Sequence, residues 1–174
     1  MKKYLTLLFC SLLTLHCSLS AQQVIYVDVS NNTGIEDGTA AHPFNTIAEG
    51  LQLAQNGDSI SIIPGNYPED TLLIEKCVSI AGAGSSSTLV EGTFILSSKL
   101  DTLPVMIGNL WCRNVMHSDS GFTRTPLSII QCSLQVLYDY TPSIQETGRI
   151  LVKNCTAADS IHIEGASRSL FGTC

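Results

Sequence analysis

The sequence has little charge and few aromatic residues, and both shortages exclude classes of protein. Charged residues make up 14% of the 174 residues and aromatic residues 6%, whereas an ordinary soluble domain is about 25% charged. The 9 basic residues are outnumbered by 15 acidic ones, which argues against a nucleic acid or an anionic membrane surface as a partner. A hydrophobic content of 44% excludes bulk disorder, and the length suits one domain with a real core.

The chain also lacks an apolar run long enough to cross a bilayer. The markedly apolar stretch Tyr4–Leu15 follows two lysines and precedes Ser18–Ala21, which is rich in small residues. This order is typical of a secretory signal peptide, predicted over residues 1–21 with cleavage after Ser20 or Ala21; an uncleaved membrane anchor is the alternative. The start looks bacterial, so we expect a secreted, outer-surface or periplasmic protein with no transmembrane helix after cleavage. Cleavage leaves 7 basic against 15 acidic residues, a net charge of -8.

Cysteine pairs with a recognisable spacing are missing from the remaining chain. There is no CxxC pair and no Cys/His spacing typical of zinc sites. An odd number of cysteines in an exported protein implies at least one free thiol or an intermolecular bond. The favoured interpretation is that they are small buried hydrophobic residues, with their pairing left open. The five are Cys77, Cys112, Cys132, Cys155 and Cys174.

Helical patterns are scarce, and one segment alone is convincing. Thr46 is a good N-cap and Glu49 follows three residues later, which predicts a capping box. Gly57 is the expected C-terminal stop, so the predicted helix spans Thr46–Asn56. A helix of this length is too short to be stable alone, so its single apolar face must cover something. That face comprises Ile47, Leu51 and Ala54.

The rest of the mature chain is typical of short strands separated by turns, and an internal repeat narrows the choice of fold. A sandwich, a barrel and a β-solenoid all fit the strand lengths. An apolar-x-apolar-x-amide pattern then recurs at steps of 22 and 23 residues, which favours stacked coils of a parallel β-helix. We expect the apolar residues to form inward ladders and the amides to lie at a corner. The repeats are Val105-x-Ile107-x-Asn109, Leu127-x-Ile129-x-Gln131 and Ile150-x-Val152-x-Asn154.

A family resemblance supports the same fold over about 65 residues, from Tyr26 to about Gly92. The pieces that carry it are Tyr26-Val27-Asp28, Asp37-Gly38-Thr39, Pro43-Phe44-Asn45-Thr46-Ile47, Ala54, Gly57-Asp58-Ser59-Ile60, Ile62, Pro64-Gly65-Asn66-Tyr67, Ile74, Lys76, Val78-Ser79-Ile80 and Gly82-Ala83-Gly84. In this order and at these spacings, the segment resembles the N-terminal domain of unknown function that opens secreted bacterial β-helix proteins of the pectin-lyase-like superfamily. Similar openings occur in some polysaccharide lyases and β-helical glycosidases.

The resemblance implies an all-β fold, a right-handed parallel β-helix with a short N-terminal capping α-helix. We expect a single domain over residues 22–174, with the first strand, a loop and the helix in 22–58 and about five coils in 59–174. Solenoids need end caps, and the sequence ends without an evident one. A fragment truncated at its C-terminus, or a partner that covers the open end, is therefore expected.

Catalytic constellations are hard to find. A β-helical lyase needs a basic residue beside clustered acidic calcium ligands, and an inverting glycosidase needs paired carboxylates; neither pattern is visible, so no catalytic or cofactor residue is predicted. Lys76 is expected to be structural and Lys153 to point outward. The four candidate bases are Lys76, Arg113, Arg149 and Lys153.

Two further groups of residues carry ligand hypotheses. Asp28, Glu36 and Asp37 are candidate Ca²⁺ ligands because oxygen atoms cluster in their loop, although a polar loop whose Asp and Gly residues serve turns explains them as well. Trp111, together with Tyr138 and Tyr140, could stack on sugar rings, with ordinary packing as the alternative.

Two functions follow from the sequence. The first is a secreted or cell-surface β-helix domain without catalysis, which has a structural role or contacts polysaccharide or other surface components. The second is a polysaccharide lyase or glycoside hydrolase, or the N-terminal fragment of one, which the resemblance implies.

Overall fold

The structure is a computed structural model that describes residues 21–97, 100, 104–117, 126–140, 150–164 and 169–171. For 117, 136–140, 150, 157–164 and 169–171 it defines the backbone only. Residues 1–20 of the predicted signal peptide lie outside the described residues, as do Arg149 and Cys174. The side chains of Tyr138 and Tyr140 also lie outside them.

The described residues form one α-helix and thirteen β-strands, all of them short. The helix, α1, spans Ile47–Leu53. The strands are β1 Val24–Val27, β2 Ser59–Ile62, β3 Gly65–Tyr67, β4 Thr71–Ile74, β5 Ser79–Ala81, β6 Thr88–Leu96, β7 Val105–Gly108, β8 Trp111–His117, β9 Leu127–Ile130, β10 Ser133–Tyr140, β11 Ile150–Lys153, β12 Thr156–Glu164 and β13 Ser169–Phe171.

The strands belong to two parallel sheets that the chain visits in turn. The sheet of seven, sheet A, has the order β1-β2-β5-β7-β9-β11-β13, and the second, sheet B, has the order β12-β10-β8-β6-β3, with β4 also paired to β6. Because each pass of the chain adds one level to each sheet, the fold is a parallel β-solenoid, and the predicted fold class is confirmed. The division into about five coils stays a prediction, since the connections at 118–125 and 141–149 lie outside the described residues.

The internal repeat read from the sequence is the register of sheet A. Val105 pairs with Leu127, and Ile107 pairs with Ile129; Ile129 pairs in turn with Val152. The side chains of Ile107, Ile129 and Val152 are fully buried. Parallel strands in register place like side chains above one another at a spacing of about 4.8 Å, so one continuous apolar core runs through the coils.

The amide that ends each repeat has a backbone role that the pattern does not reveal. Asn109, Gln131 and Asn154 have φ values of 56°, 54° and 53°, and they are the three non-glycine residues with positive φ among those described. The N–H of Asn109 donates to the Ile130 carbonyl at 3.0 Å, so the sharp corner also bonds the next coil. Asparagine tolerates this left-handed conformation better than most residues.

One turn that the sequence suggests at a glycine is not formed. The apolar runs Leu89-Val90 and Phe94–Leu96 on either side of Gly92 predict two strands, but both belong to β6, which has a shift of register between Val90 and Thr93. A Cβ atom at Gly92 would lie 2.0 Å from the Glu69 carbonyl oxygen. This glycine therefore permits a close approach of the preceding coil and does not end a strand.

The predicted helix begins correctly and ends too late. Thr46 is the N-cap, with both hydrogen bonds of the capping box to Glu49. The helix ends at Leu53, however, because Ala54 already has extended dihedrals, φ -52° and ψ 147°. Gly57, expected as the cap, instead has φ +94° in the turn that leads to β2. Ile47 and Ala54 are fully buried, so the predicted apolar face does cover the core.

Gly50 lies inside the helix, where glycine has a poor propensity, and its lack of a side chain explains how closely the helix packs. It is buried, and a Cβ atom there would lie 3.1 Å from Val27 Cγ2 and 3.6 Å from Ile60 Cγ2. The lost helix propensity, about 1 kcal/mol, is offset by direct contact of the helix backbone with the side chains of β1 and β2.

We expect Gly92→Ala to lower the free energy of unfolding by about 2–3 kcal/mol, because the new methyl group would overlap backbone atoms that cannot move aside. Chemical denaturation of both proteins measures the loss. Gly34→Ala is the control, since Gly34 has φ +74° but no atom within 4 Å of its Cβ position and should cost only about 1 kcal/mol of conformational strain. An equal or larger loss for Gly34→Ala would contradict the close-approach explanation.

A reciprocal exchange tests the corner conformation. Gln131→Asn should raise the free energy of unfolding by about 0.5 kcal/mol, and Asn109→Gln should lower it by a similar amount, because asparagine favours the left-handed region. Both side chains are exposed, so burial contributes little to either change. Thermal denaturation measures the two shifts, and changes of the same sign would show that the corner backbone does not decide them.

Candidate functional site

Two charged side chains hold the ends of α1, and one of them is a predicted candidate base. The Glu69 carboxylate accepts from the N–H groups of Ile47 at 2.8 Å and Ala48 at 3.0 Å. Lys76 Nζ donates to the carbonyls of Leu51 at 3.2 Å and Gln52 at 2.7 Å. The acid thus lies at the positive end of the helix and the base at the negative end, as the helix dipole favours. Lys76 therefore has a structural role.

The three candidate calcium ligands each bind a side chain of their own loop. Asp28 Oδ1 accepts from the N–H and hydroxyl of Ser30, at 2.9 and 2.6 Å. Asp37 Oδ1 does the same with Thr39, at 2.9 and 2.7 Å; these bonds, first of all that from the Thr39 hydroxyl, lower the pKa of Asp37. Glu36 Oε1 accepts from Asn45 Nδ2 at 2.8 Å. These contacts match the turn interpretation.

Calcium binding in this loop stays a prediction. Among the described residues, no group of three or more His, Cys, Asp or Glu side chains is placed to hold a metal ion.

The described cysteines lie in the core, as the favoured interpretation expects. Cys77, Cys112, Cys132 and Cys155 are all buried, and Cys112, Cys132 and Cys155 form no disulfide. Burial raises the pKa of the Cys112 thiol. Interaction with the neighbouring Cys132 thiol lowers the pKa of Cys155, and the same interaction raises the pKa of Cys132.

The most varied set of polar and aromatic side chains lies on the outer face of sheet B. A shallow groove of about 450 Å³ is lined there by residues from three successive levels of the sheet. Asn66 Nδ2 donates to Glu91 Oε1 at 2.8 Å, and Trp111 is half-buried beside the exposed Arg113. The lining residues are Asn66, Leu89, Glu91, Trp111 and Arg113.

Strand register makes this groove part of a longer stack. Asn66 pairs with Leu89, Leu89 with Trp111, Trp111 with Ser133 and Ser133 with Thr156. The inward neighbours Tyr67, Val90, Cys112 and Leu134 are buried, so the alternation of the strands directs the first set outward. At the far end, the hydroxyls of Ser133 and Thr156 are 2.6 Å apart. We call these five outward residues, together with Glu91, Arg113 and Gln135, the track.

Sequence reasoning found only part of this surface. It singled out Trp111 as a sugar-stacking residue and Arg113 as a candidate base, and the structure places both in the groove. It missed Asn66 and Glu91. Glu91 and Arg113 are 22 residues apart, a step that also occurs in the repeat on sheet A, and this spacing could have identified them. The repeat on sheet A does not include them, because they lie on sheet B, where β6 has a shift of register. Lys153 is exposed on β11 of the other sheet, as predicted.

In comparisons with known proteins, no family model, curated protein or solved structure matches the chain. Within the described part of the chain, no helix has the length and apolar character needed to cross a membrane.

Replacing Lys76 by methionine tests its structural role. Lys76→Met keeps most of the aliphatic stem and removes the charged donor, so we expect the free energy of unfolding to fall by about 1–2 kcal/mol. Lys153→Met is the matched control, and its effect should stay within about 0.5 kcal/mol because the residue is on the surface. Denaturation midpoints compare the two, and equal effects would refute a special role for Lys76 at the helix end.

Proposed function

We propose that the chain is an exported β-helix domain of the pectin-lyase-like type that contacts polysaccharide at the bacterial surface without cleaving it. The fold supports the type of domain, and the N-terminal pattern supports export. Lys76 is the candidate base within the segment that resembles the family, and its contacts with the end of α1 support a structural role for it.

The groove on sheet B is the observation that carries the proposed contact with carbohydrate. Sugar rings present apolar C–H faces and many hydroxyls, and protein sites bind them with an aromatic plane surrounded by polar groups. Trp111 supplies a half-buried indole. Glu91, Asn66 and Arg113 supply an anionic acceptor, an amide and a cationic donor within the same groove. The groove is open and shallow, which suits a polysaccharide that lies along the surface of the protein.

Polysaccharide cleavage is the second candidate, because the predicted candidate base Arg113 lies in the groove beside Glu91. A lyase would remove the proton α to a uronate carboxylate. Absorbance of unsaturated products from pectate, alginate and glycosaminoglycans, measured with and without Ca²⁺, tests this candidate. Activity that Arg113→Gln abolishes would replace the non-catalytic proposal.

Replacing the aromatic residue of the groove tests the proposed function. We expect Trp111→Ala to weaken binding to insoluble polysaccharides about tenfold or more, because an aromatic stacking partner contributes on the order of 1 kcal/mol beyond its buried area. Pull-down with a panel of neutral and acidic polysaccharides, followed by calorimetry with oligosaccharides, measures the change.

Met106→Ala is the control for that experiment, since Met106 is 43% exposed and lies on sheet A. Its binding should equal that of the unmodified protein. A chain that binds no member of the panel, or loses binding equally with both substitutions, would disprove carbohydrate contact at the groove.

A further inference from the structure

We infer that the track takes an uncharged, linear glycan laid along the axis of the solenoid, and that it discriminates against polyuronates; this rests on the proposed contact with carbohydrate. The inference follows from the charge balance of the track, from the acceptor that Glu91 presents, and from the spacing of the successive strands that the track crosses, which we call its rungs.

Charge balance is the first step. Of the eight track residues, only Glu91 and Arg113 are charged, and their formal charges cancel. Recognition of a polyanion requires an excess of cationic donors. The whole chain has a net charge of -6, so its field opposes a polyuronate and does not affect a neutral glycan.

The Glu91 carboxylate is the second step, because its orientation is fixed. Asn66 Nδ2 donates to Oε1 at 2.8 Å, which holds the carboxylate in the groove as a hydrogen-bond acceptor. An ionised carboxylate only accepts hydrogen bonds. Hydroxyls of both ligand classes can donate to it, but only a uronate brings a carboxylate that it repels. Glu91 thus penalises uronates relative to neutral glycans, which is one way to achieve specificity.

Rung spacing is the third step and gives the direction of the chain. The stack Asn66–Leu89–Trp111–Ser133–Thr156 advances by about 4.8 Å per strand, a distance comparable with one pyranose unit of an extended chain. The hydroxyls of Ser133 and Thr156 lie on the two rungs beyond Trp111, where they can pair with hydroxyls of successive sugars. A ligand along the axis can therefore meet Trp111 and continue past it.

Calorimetry on the full chain with neutral and uronate oligosaccharides of matched length tests the inference. The neutral probes are xylo-, cello- and manno-oligosaccharides, and the acidic ones are oligogalacturonates and oligomers from alginate. We expect the neutral series to bind at least about tenfold more tightly at low salt. Glu91→Gln should narrow this ratio by strengthening uronate binding. Asp70→Asn, the same charge change at an exposed acid outside the track, should leave the ratio unchanged.

Each outcome bears on a different statement. Uronates that bind as tightly as neutral glycans would overturn the inference and leave the proposed function standing. A chain that binds neither class would overturn the proposed function together with the inference. Affinity should also rise with each sugar from the disaccharide to about the pentasaccharide, one unit per rung. An affinity that is constant beyond the disaccharide, or that Thr156→Val leaves unchanged for the longest oligosaccharide, would overturn the placement along the axis.

Discussion

In-register pairing of parallel strands, one level for each pass of the chain, is the constraint on which the rest of the structure depends. Once Ile107 lies on Ile129 and Ile129 on Val152, the alternation of side chains fixes which residues face inward and which outward. The inner ladder supplies the apolar burial that stabilises the fold. The outward ladder is a consequence of the same register, so the pairing that builds the core also positions a row of surface groups.

Local signals in the sequence predicted the elements whose cause is local. The strand β2, with the sequence SISI, carries period-two alternation, and β1, with the sequence VIYV, is a run of residues that favour strands. The capping box of Thr46 and Glu49 depends on residues three positions apart and was also found. The repeat on sheet A predicted the stacking, because an inward ladder demands similar residues at a constant step.

Features that depend on contacts between coils were not predictable in the same way. The helix ends at Leu53 because Ala54 already has extended backbone dihedrals. No helix-stop residue in the sequence marks this position. Gly92 resembles a turn glycine until the Glu69 carbonyl of the preceding coil is seen beside it. The pairing of Asn66 with Glu91 joins residues 25 positions apart.

The charged groups that hold α1 also decide how the N-terminal end of the solenoid responds to stress. Glu69 and Lys76 flank β4, and β4 is hydrogen-bonded along its length to β6. The helix of seven residues is too short to be stable in isolation, so its hydrogen bonds depend on the contacts that Glu69 and Lys76 make with its ends. The two side chains thereby couple the helix to β4 and, through β4, to the next coil, so we expect amide exchange from the helix to depend on the stability of that sheet.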